Sequence, residues 1–177
     1  MNSPKVILVT GGSRSGKTAH ALGIAEPYTT RIYLATAEAI DSEMKDRIAR
    51  HQAERGDRFQ TLEEPVDLAG ALQQIPEGTD VVLIDCMTVW LGNLVHKKGV
   101  QSEPYPEVRE FIQALEKPPC DVVIVTNEVG SGIIPHEAMT RAYSDLAGWL
   151  NQDIANIANE VYLVVCGLPL TLKGPGK

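Results

Sequence analysis

Between Gly11 and Thr18 the chain reads Gly11-Gly12-Ser13-Arg14-Ser15-Gly16-Lys17-Thr18, the full G-x-x-x-x-G-K-[ST] spacing. Those residue types in that order make a cradle for a nucleoside triphosphate. The glycines let the backbone curl until successive N–H groups converge on phosphate oxygens, with the positive end of the following helix behind them. Lys17 then reaches the β and γ phosphates, and the Thr18 hydroxyl ligates Mg²⁺. The bland alternative is a Gly/Ser-rich turn that matches by chance. Against it stands the context that the motif requires: the apolar run Val6-Ile7-Leu8-Val9 before the loop reads as a buried strand, and Ala19, Ala21, Leu22, Ile24 and Ala25 after it suit a packed helix.

Three further groups carry chemistry. Asp85 ends an apolar run, where the second acidic element of phosphate-loop enzymes sits, and holds Mg²⁺ through a water; the competing reading is a carboxylate N-cap for the segment that starts at Met87. Glu128, in Asn127-Glu128-Val129-Gly130, either orients a nucleophile or a metal-bound water or braces its own turn. His51 shares one helix face with Met44 and Ile48, which taken alone is the position of a packing residue. Its company changes that reading, because Arg47, Arg50, Arg55 and Arg58 crowd the same stretch. Such a cluster suits phosphate, although Asp46, Glu54 and Asp57 offer a way to neutralise it as a solvated face.

The elements that must position these groups alternate along the chain. Ile32 to Ala35, Val81 to Ile84, Val122 to Val125 and Val161 to Val165 are continuously apolar and mostly β-branched, as strands buried on both faces should be. Between them helical patterns run over Asp41 to Arg55, Val66 to Ile75, Met87 to Val95, Val108 to Leu115 and Ala138 to Ala158, with Asp41 as an N-cap and Gly56 as a stop. This alternation predicts an α/β fold with a mostly parallel, doubly wound sheet. Ligands of such sheets lie beyond the carboxyl ends of the strands, so the residues after each strand are the first candidates: the phosphate loop, Ala35-Thr36-Ala37, Asp85-Cys86 and Thr126 to Gly130. No repeat or low-complexity tract interrupts the pattern, and residues 1–177 are expected to form a single nucleotide-binding domain with 173–177 as a frayed end.

A formal net charge of -7 argues against a sequence-independent grip on nucleic acid. An acidic chain that binds a polyanion must concentrate its basic groups locally. The three cysteines, Cys86, Cys120 and Cys166, lie far apart without ligand spacing and read as reduced, buried thiols of a cytoplasmic protein. Asn2-Ser3-Pro4-Lys5 leads directly into the first strand, so no signal segment is expected, and no apolar run is long enough to predict membrane insertion.

Together, Gly11 to Thr18, Tyr33-Leu34-Ala35-Thr36, Arg47-Ile48 followed by His51, Thr126-Asn127-Glu128-Val129-Gly130-Ser131-Gly132-Ile133-Ile134-Pro135 and Val164-Val165-Cys166-Gly167-Leu168-Pro169 resemble the bifunctional adenosylcobinamide kinase/adenosylcobinamide-phosphate guanylyltransferase family. The resemblance runs from Ile7 to about Lys173. The phosphate loop alone is unspecific; its combination with R-I-x-x-H and T-N-E-V-G-x-G-I-x-P is highly specific. The resemblance implies a RecA-like phosphate-loop domain working as a cytoplasmic homotrimer in cobalamin nucleotide-loop assembly, with GTP, ATP and Mg²⁺ as cofactors. Adenosylcobinamide and adenosylcobinamide phosphate are the implied partners, with no nucleic acid.

By position, the resemblance assigns His51 to the histidine that accepts GMP covalently. It assigns Gly11, Gly12, Ser13, Arg14, Ser15, Gly16, Lys17 and Thr18 to the triphosphate loop. Ala35, Thr36, Ala37, Gln52, Ala53, Glu54, Arg55, Glu63 and Asp85 match nucleotide-contacting positions. The chain departs from the family pattern at Phe59, where many members have tryptophan, after Arg55, where no proline follows, and at Asp85, one methylene shorter than the glutamate of some relatives.

The chemistry is consistent with these residue types. Guanylyl transfer needs a nucleophile at the α-phosphorus, which a neutral imidazole supplies, and a stabilised pyrophosphate, which Mg²⁺, Lys17 and backbone N–H groups supply. Phosphoryl transfer to the hydroxyl of the aminopropanol arm relies on positioning and charge neutralisation. The competing readings are a single-activity small-molecule kinase in which His51 merely packs, a nucleotide-gated switch, which the missing Asn-Lys-x-Asp motif disfavours, and a RecA-like nucleic-acid motor, which the acidic charge disfavours.

Overall fold

The computed structural model describes residues 3–39, 42, 45, 46, 49, 52, 53 and 56–174. Its strands are β1 (Val6–Thr10), β2 (Arg31–Ala35), β3 (Gln60–Glu63), β4 (Val81–Asp85), β5 (Asp121–Val125), β6 (Glu160–Val165) and β7 (Leu168–Lys173). Among the described residues the helices are α1 (Lys17–Ala25), α2 (Leu68–Gln73), α3 (Met87–Lys98), α4 (Pro106–Leu115) and α5 (Ala138–Ile157), besides the short 3-10 turn Gly56–Arg58 and isolated helical positions between 42 and 53. The strands form one sheet in the order β3-β2-β4-β5-β1-β6-β7. Neighbours are parallel except β6 and β7, which pair antiparallel.

Strand alternation divides the core in two. From β1, Val6 and Leu8 join the layer under α2 to α5, whereas Ile7 and Val9 face the layer under α1; Val82 and Ile84 of β4 and Val122 and Ile124 of β5 repeat the first set. The thicker layer holds Trp90, Tyr105 and Phe111, all fully buried, with Trp90 and Phe111 edge to face at 5.3 Å. Burying a side chain of that size stabilises the fold by roughly 1.5–3 kcal/mol. The Trp90 indole N–H is not left unsatisfied, because it donates to the Val66 carbonyl at 2.8 Å. Helix α1 presents only the small Ala21 and Ala25 as fully buried side chains, so it lies close on the sheet and carries the phosphate loop against it.

Apart from the expected helix over 41–55, which is described only in part, the expected strands and helices are present with shifted ends. Helix α2 is shorter than the predicted 66–75, because Asp67 caps it through Gly70 N–H at 2.8 Å. Helix α3 runs on to Lys98 and stops at Gly99, whose φ is 76°. Helix α4 starts two residues early, at Pro106, whose ring suits a first helical position.

Strands β3 and β7 were not expected. Both are edges without a continuous apolar run, β3 burying part of Leu62 alone. One cysteine expectation is corrected: Cys86 and Cys120 are buried, but Cys166 is exposed at the tip of the β6–β7 hairpin, with φ 52°. Its apolar neighbours divide: Val164 is buried in the core, whereas Val165, Leu168 and Leu170 are exposed around the hairpin, and the turn itself carries no core residue. Of the expected helix over 41–55, residues 42, 45, 46, 49, 52 and 53 are helical and exposed. The N-cap expectation for Asp41 lies outside the described residues.

Candidate nucleotide site

The loop between β1 and α1 has the backbone that its glycines permit. Gly11 has φ 149°, and a Cβ there would stand 2.4 Å from the Val164 carbonyl oxygen. Gly16, in the left-handed region at φ 99°, N-caps α1 and packs against Gly167, whose Cα lies 3.1 Å from where its Cβ would be. The β6–β7 turn therefore buttresses the loop directly, and Gly167 N–H donates to the Ser15 carbonyl at 2.8 Å. Lys17 is 7% exposed, and its ammonium donates to the Gly12 carbonyl at 2.5 Å. Ser13 and Arg14 are exposed, and the Ser15 hydroxyl oxygen is buried with no hydrogen-bond partner among the described residues. An orphaned buried hydroxyl in this glycine-shaped loop, beside a buried ammonium, fits a phosphate anion.

Asp85 ends β4, level with Ala35 on one side, and Ala35 is level with Glu63 on the other. These three predicted positions thus share one carboxyl edge. The Asp85 carboxylate Oδ2 accepts from Thr18 Oγ1 at 3.1 Å and from the Tyr33 hydroxyl at 2.9 Å. The N-cap of α3 is Cys86, without a side-chain cap bond, so the capping reading of Asp85 has no geometric support. A hydroxyl and a carboxylate in contact are hard oxygen donors of the kind Mg²⁺ takes, usually one or two from protein with the rest from water and phosphate. Among the described residues no cluster of three His, Cys, Asp or Glu side chains could hold a metal ion.

The remaining predicted positions divide. Thr36 is fully buried and engaged internally: its hydroxyl donates to the Cys86 carbonyl and accepts from Cys86 N–H, both at 2.9 Å, and its carbonyl accepts from Asn93 at 2.7 Å. It fixes the strand ends and offers no side-chain group to a ligand. Ala35 and Ala37 are half-buried at the same edge, Glu63 is exposed, and Gln52 and Ala53 are exposed on helical backbone. His51, Glu54 and Arg55, with Arg47 and Arg50, lie outside the described residues.

Sequence reasoning missed Tyr33, Thr10 and Asn151. Tyr33 was legible in principle, since it alternates with Ile32 and Leu34 and must face the α1 side. Its hydroxyl reaches Asp85. Asn151 carried no signal, being a polar position within a long helix. It accepts from Thr126 Oγ1 at 2.7 Å and donates to the Asn127 carbonyl and Glu128 Oε1, both at 3.2 Å. Near this edge, burial pushes the Tyr143 phenol well above the ordinary tyrosine range, and its neutral hydroxyl donates to the Thr88 carbonyl at 2.7 Å.

Strand order, phosphate loop and acidic strand end define a RecA-like phosphate-loop fold. The RadB recombinase structure matches with a TM-score of 0.52 at 16% identity, covering 91% of this chain and 74% of that one. The sequence goes further than the fold, because residues 7–172 match the family described as cobinamide kinase / cobinamide phosphate guanyltransferase. The bifunctional adenosylcobalamin biosynthesis protein CobP of Pseudomonas aeruginosa is 40% identical over 168 residues, covering 94% of this chain and 96% of its own length. The protein of the same description named CobU in Escherichia coli is 36% identical over 180 residues, covering 95% and 99%. The chain belongs to the cobinamide kinase / cobinamide phosphate guanyltransferase family.

Proposed function

We propose that this chain phosphorylates adenosylcobinamide with ATP or GTP and then transfers GMP from GTP, through His51, to give adenosylcobinamide-GDP. The observation that carries the reading is the family match over 7–172, on a loop whose buried lysine and Thr18–Asp85 contact suit a triphosphate with Mg²⁺. In this reading Gly11 to Thr18 bind the phosphates. Lys17 draws negative charge off the transferring or leaving phosphates, and Asp85 and Thr18 would hold the ion. Bound Mg²⁺ would supply charge neutralisation on the phosphate oxygens.

His51 is the acceptor of GMP: an imidazole nitrogen bonds to the α-phosphorus, pyrophosphate leaves, and the phosphorylated corrinoid then displaces the histidine. Ala35, Ala37, Gln52, Ala53, Glu54, Arg55 and Glu63 are the proposed nucleotide contacts, with Thr36 holding the edge in place. We also propose one nucleotide-binding domain over 1–177, cytoplasmic and homotrimeric. Self-association is supported by the β6–β7 hairpin, which leaves Leu168 72% and Leu170 56% exposed on an edge strand. No described helix is long and apolar enough to cross a membrane.

Mass spectrometry of the protein after GTP and Mg²⁺ tests the reading. A GMP adduct is expected on His51, stable in alkali, released in mild acid and reversed by pyrophosphate, as befits a phosphoramidate. His51→Ala should lose guanylyl transfer and keep much of the kinase step. Label on His20, His96 or His136, or guanylyl turnover in His51→Ala, overturns the assignment. Phosphorylation without any adduct returns the single-activity kinase.

A further inference from the structure

Glu128 stands at a strand end where ligands bind, and the proposed function gives it no role. It follows β5, the strand lying between β4 with Asp85 and β1 with the phosphate loop. Its backbone N–H donates to the Gly11 carbonyl at 3.0 Å, so it is level with the first residue of the loop. Its side chain does not brace its own turn. Oε1 accepts from Thr10 Oγ1 at 2.8 Å and from Asn151 Nδ2 at 3.2 Å, groups on β1 and α5. Thr10 is 5% exposed, and Asn151 is itself pinned by the fully buried Thr126. The second carboxylate oxygen has no partner among the described residues, and the residue is exposed.

A negative side chain fixed against an anion-binding loop weakens anion binding by Coulomb repulsion. A carboxylate serving only to tie β1 to α5 would be a poor choice there, because a neutral amide makes the same two contacts. What the carboxylate alone adds is a basic oxygen, oriented and open at the strand end between loop and Asp85.

Resting on the kinase reading above, we infer that Glu128 is the general base of phosphoryl transfer, taking the proton of the alcohol that is phosphorylated. The acceptor O–H gives its proton to the open Glu128 oxygen as the alcohol oxygen bonds to the γ-phosphorus. The bond from that phosphorus to the β,γ-bridging oxygen breaks, its electron pair leaving with the nucleoside diphosphate. The proton on Glu128 returns to solvent through its exposed face. Formation of the GMP adduct has no hydroxyl to deprotonate and does not use Glu128.

The test is Glu128→Gln, whose amide oxygen still accepts from Thr10 and Asn151. Adenosylcobinamide phosphorylation should fall in kcat by about 10²-fold or more, the range for loss of a general base. KM for the nucleotide should hold or fall, since a negative charge beside the loop is removed, while the melting temperature and GMP-adduct formation should stay close to wild type. Glu128→Asp, which keeps a carboxylate at the strand end, should recover part of the kcat lost in Glu128→Gln. Kinase turnover within about threefold of wild type, or a parallel fall of stability and both half-reactions, makes Glu128 a brace and overturns the inference alone. A wild-type protein that does not phosphorylate adenosylcobinamide overturns the kinase reading and the inference with it.

Discussion

Two tyrosine–aspartate pairs stand at opposite ends of the sheet, and the same chemistry serves different ends. At the amino end Tyr28 donates to Asp121 Oδ2 at 2.5 Å, while Asp121 Oδ1 accepts Lys5 N–H at 2.8 Å. Asp80 nearby takes the N–H groups of Thr29 and Thr30 at 3.1 and 2.7 Å, and Asn159 takes that of Val6 at 2.8 Å. Those acceptors are spent on backbone donors at or just before the strand starts, which no ladder partner reaches. At the carboxyl end Tyr33 and Thr18 both donate to Asp85 Oδ2, and both are side-chain hydroxyls. The buried Ser15 hydroxyl and one Glu128 oxygen there have no partner among the described residues. At the amino end the carboxylates are spent on the fold, and what stays unpaired there among the described residues is a buried donor, Arg31 Nε at the start of β2; at the carboxyl end a hydroxyl and a carboxylate oxygen are held in reserve beside a buried ammonium, which is where a ligand fits.

The largest expected effect comes from removing the charge at the reserved end. Lys17→Ala should cut phosphoryl transfer to adenosylcobinamide by about 10²–10³-fold or more, the scale for loss of one preorganised charge-stabilising donor, and should severely weaken guanylylation. The variant should remain folded, as monitored by circular dichroism. Near-normal kinase turnover in a folded Lys17→Ala protein would remove the loop from the mechanism.

The two aspartates break the comparison most directly. Asp85→Asn should raise the Mg²⁺ concentration needed for half-maximal activity with little change in unfolding free energy, because the amide still accepts from Thr18 or Tyr33. Asp121→Asn should do the reverse, costing about 1–2 kcal/mol in urea unfolding while activity per folded molecule and Mg²⁺ dependence hold. If Asp85→Asn lowers stability and leaves metal dependence in place, the carboxyl end is structural too.

How much of this contrast the sequence reveals depends on how local its causes are. The phosphate loop and Asp85 are legible because phosphate chemistry needs fixed residue types at fixed offsets beside an apolar strand. The central strands are legible because burial on both faces leaves continuous runs such as Val81 to Ile84. Edge strands β3 and β7 are not, since Gln60-Thr61-Leu62-Glu63 buries little and Leu168 to Lys173 faces outward on both sides. The partners of Glu128 are the hardest case. Thr10 and Asn151 meet it across separations of 118 and 23 residues, so only the sheet order brings them together.

The smallest expected effect belongs to the amino end and depends on pH. Tyr28 is pushed up from 10.0 to about 12, first by burial and then by its bond to Asp121 and the negative charges of Asp121, Glu160 and Asp80. Folding therefore favours the neutral phenol. Its contribution is complete below the ordinary phenol value and is lost as pH rises from 10 towards 12. Tyr28→Phe keeps the ring and removes both the hydrogen bond and this titration. At pH 8 the wild type should be more stable than Tyr28→Phe by about 1 kcal/mol in urea unfolding. That advantage should shrink steadily above pH 10 as Asp121 is left facing a phenolate. Burial also raises the phenols of Tyr105 and Tyr143, so the readout is the difference between the two proteins rather than the alkaline slope of either. A gap that stays constant to pH 12 would mean that Tyr28 does not titrate against Asp121, and that the amino end is less tightly closed than its hydrogen bonds imply.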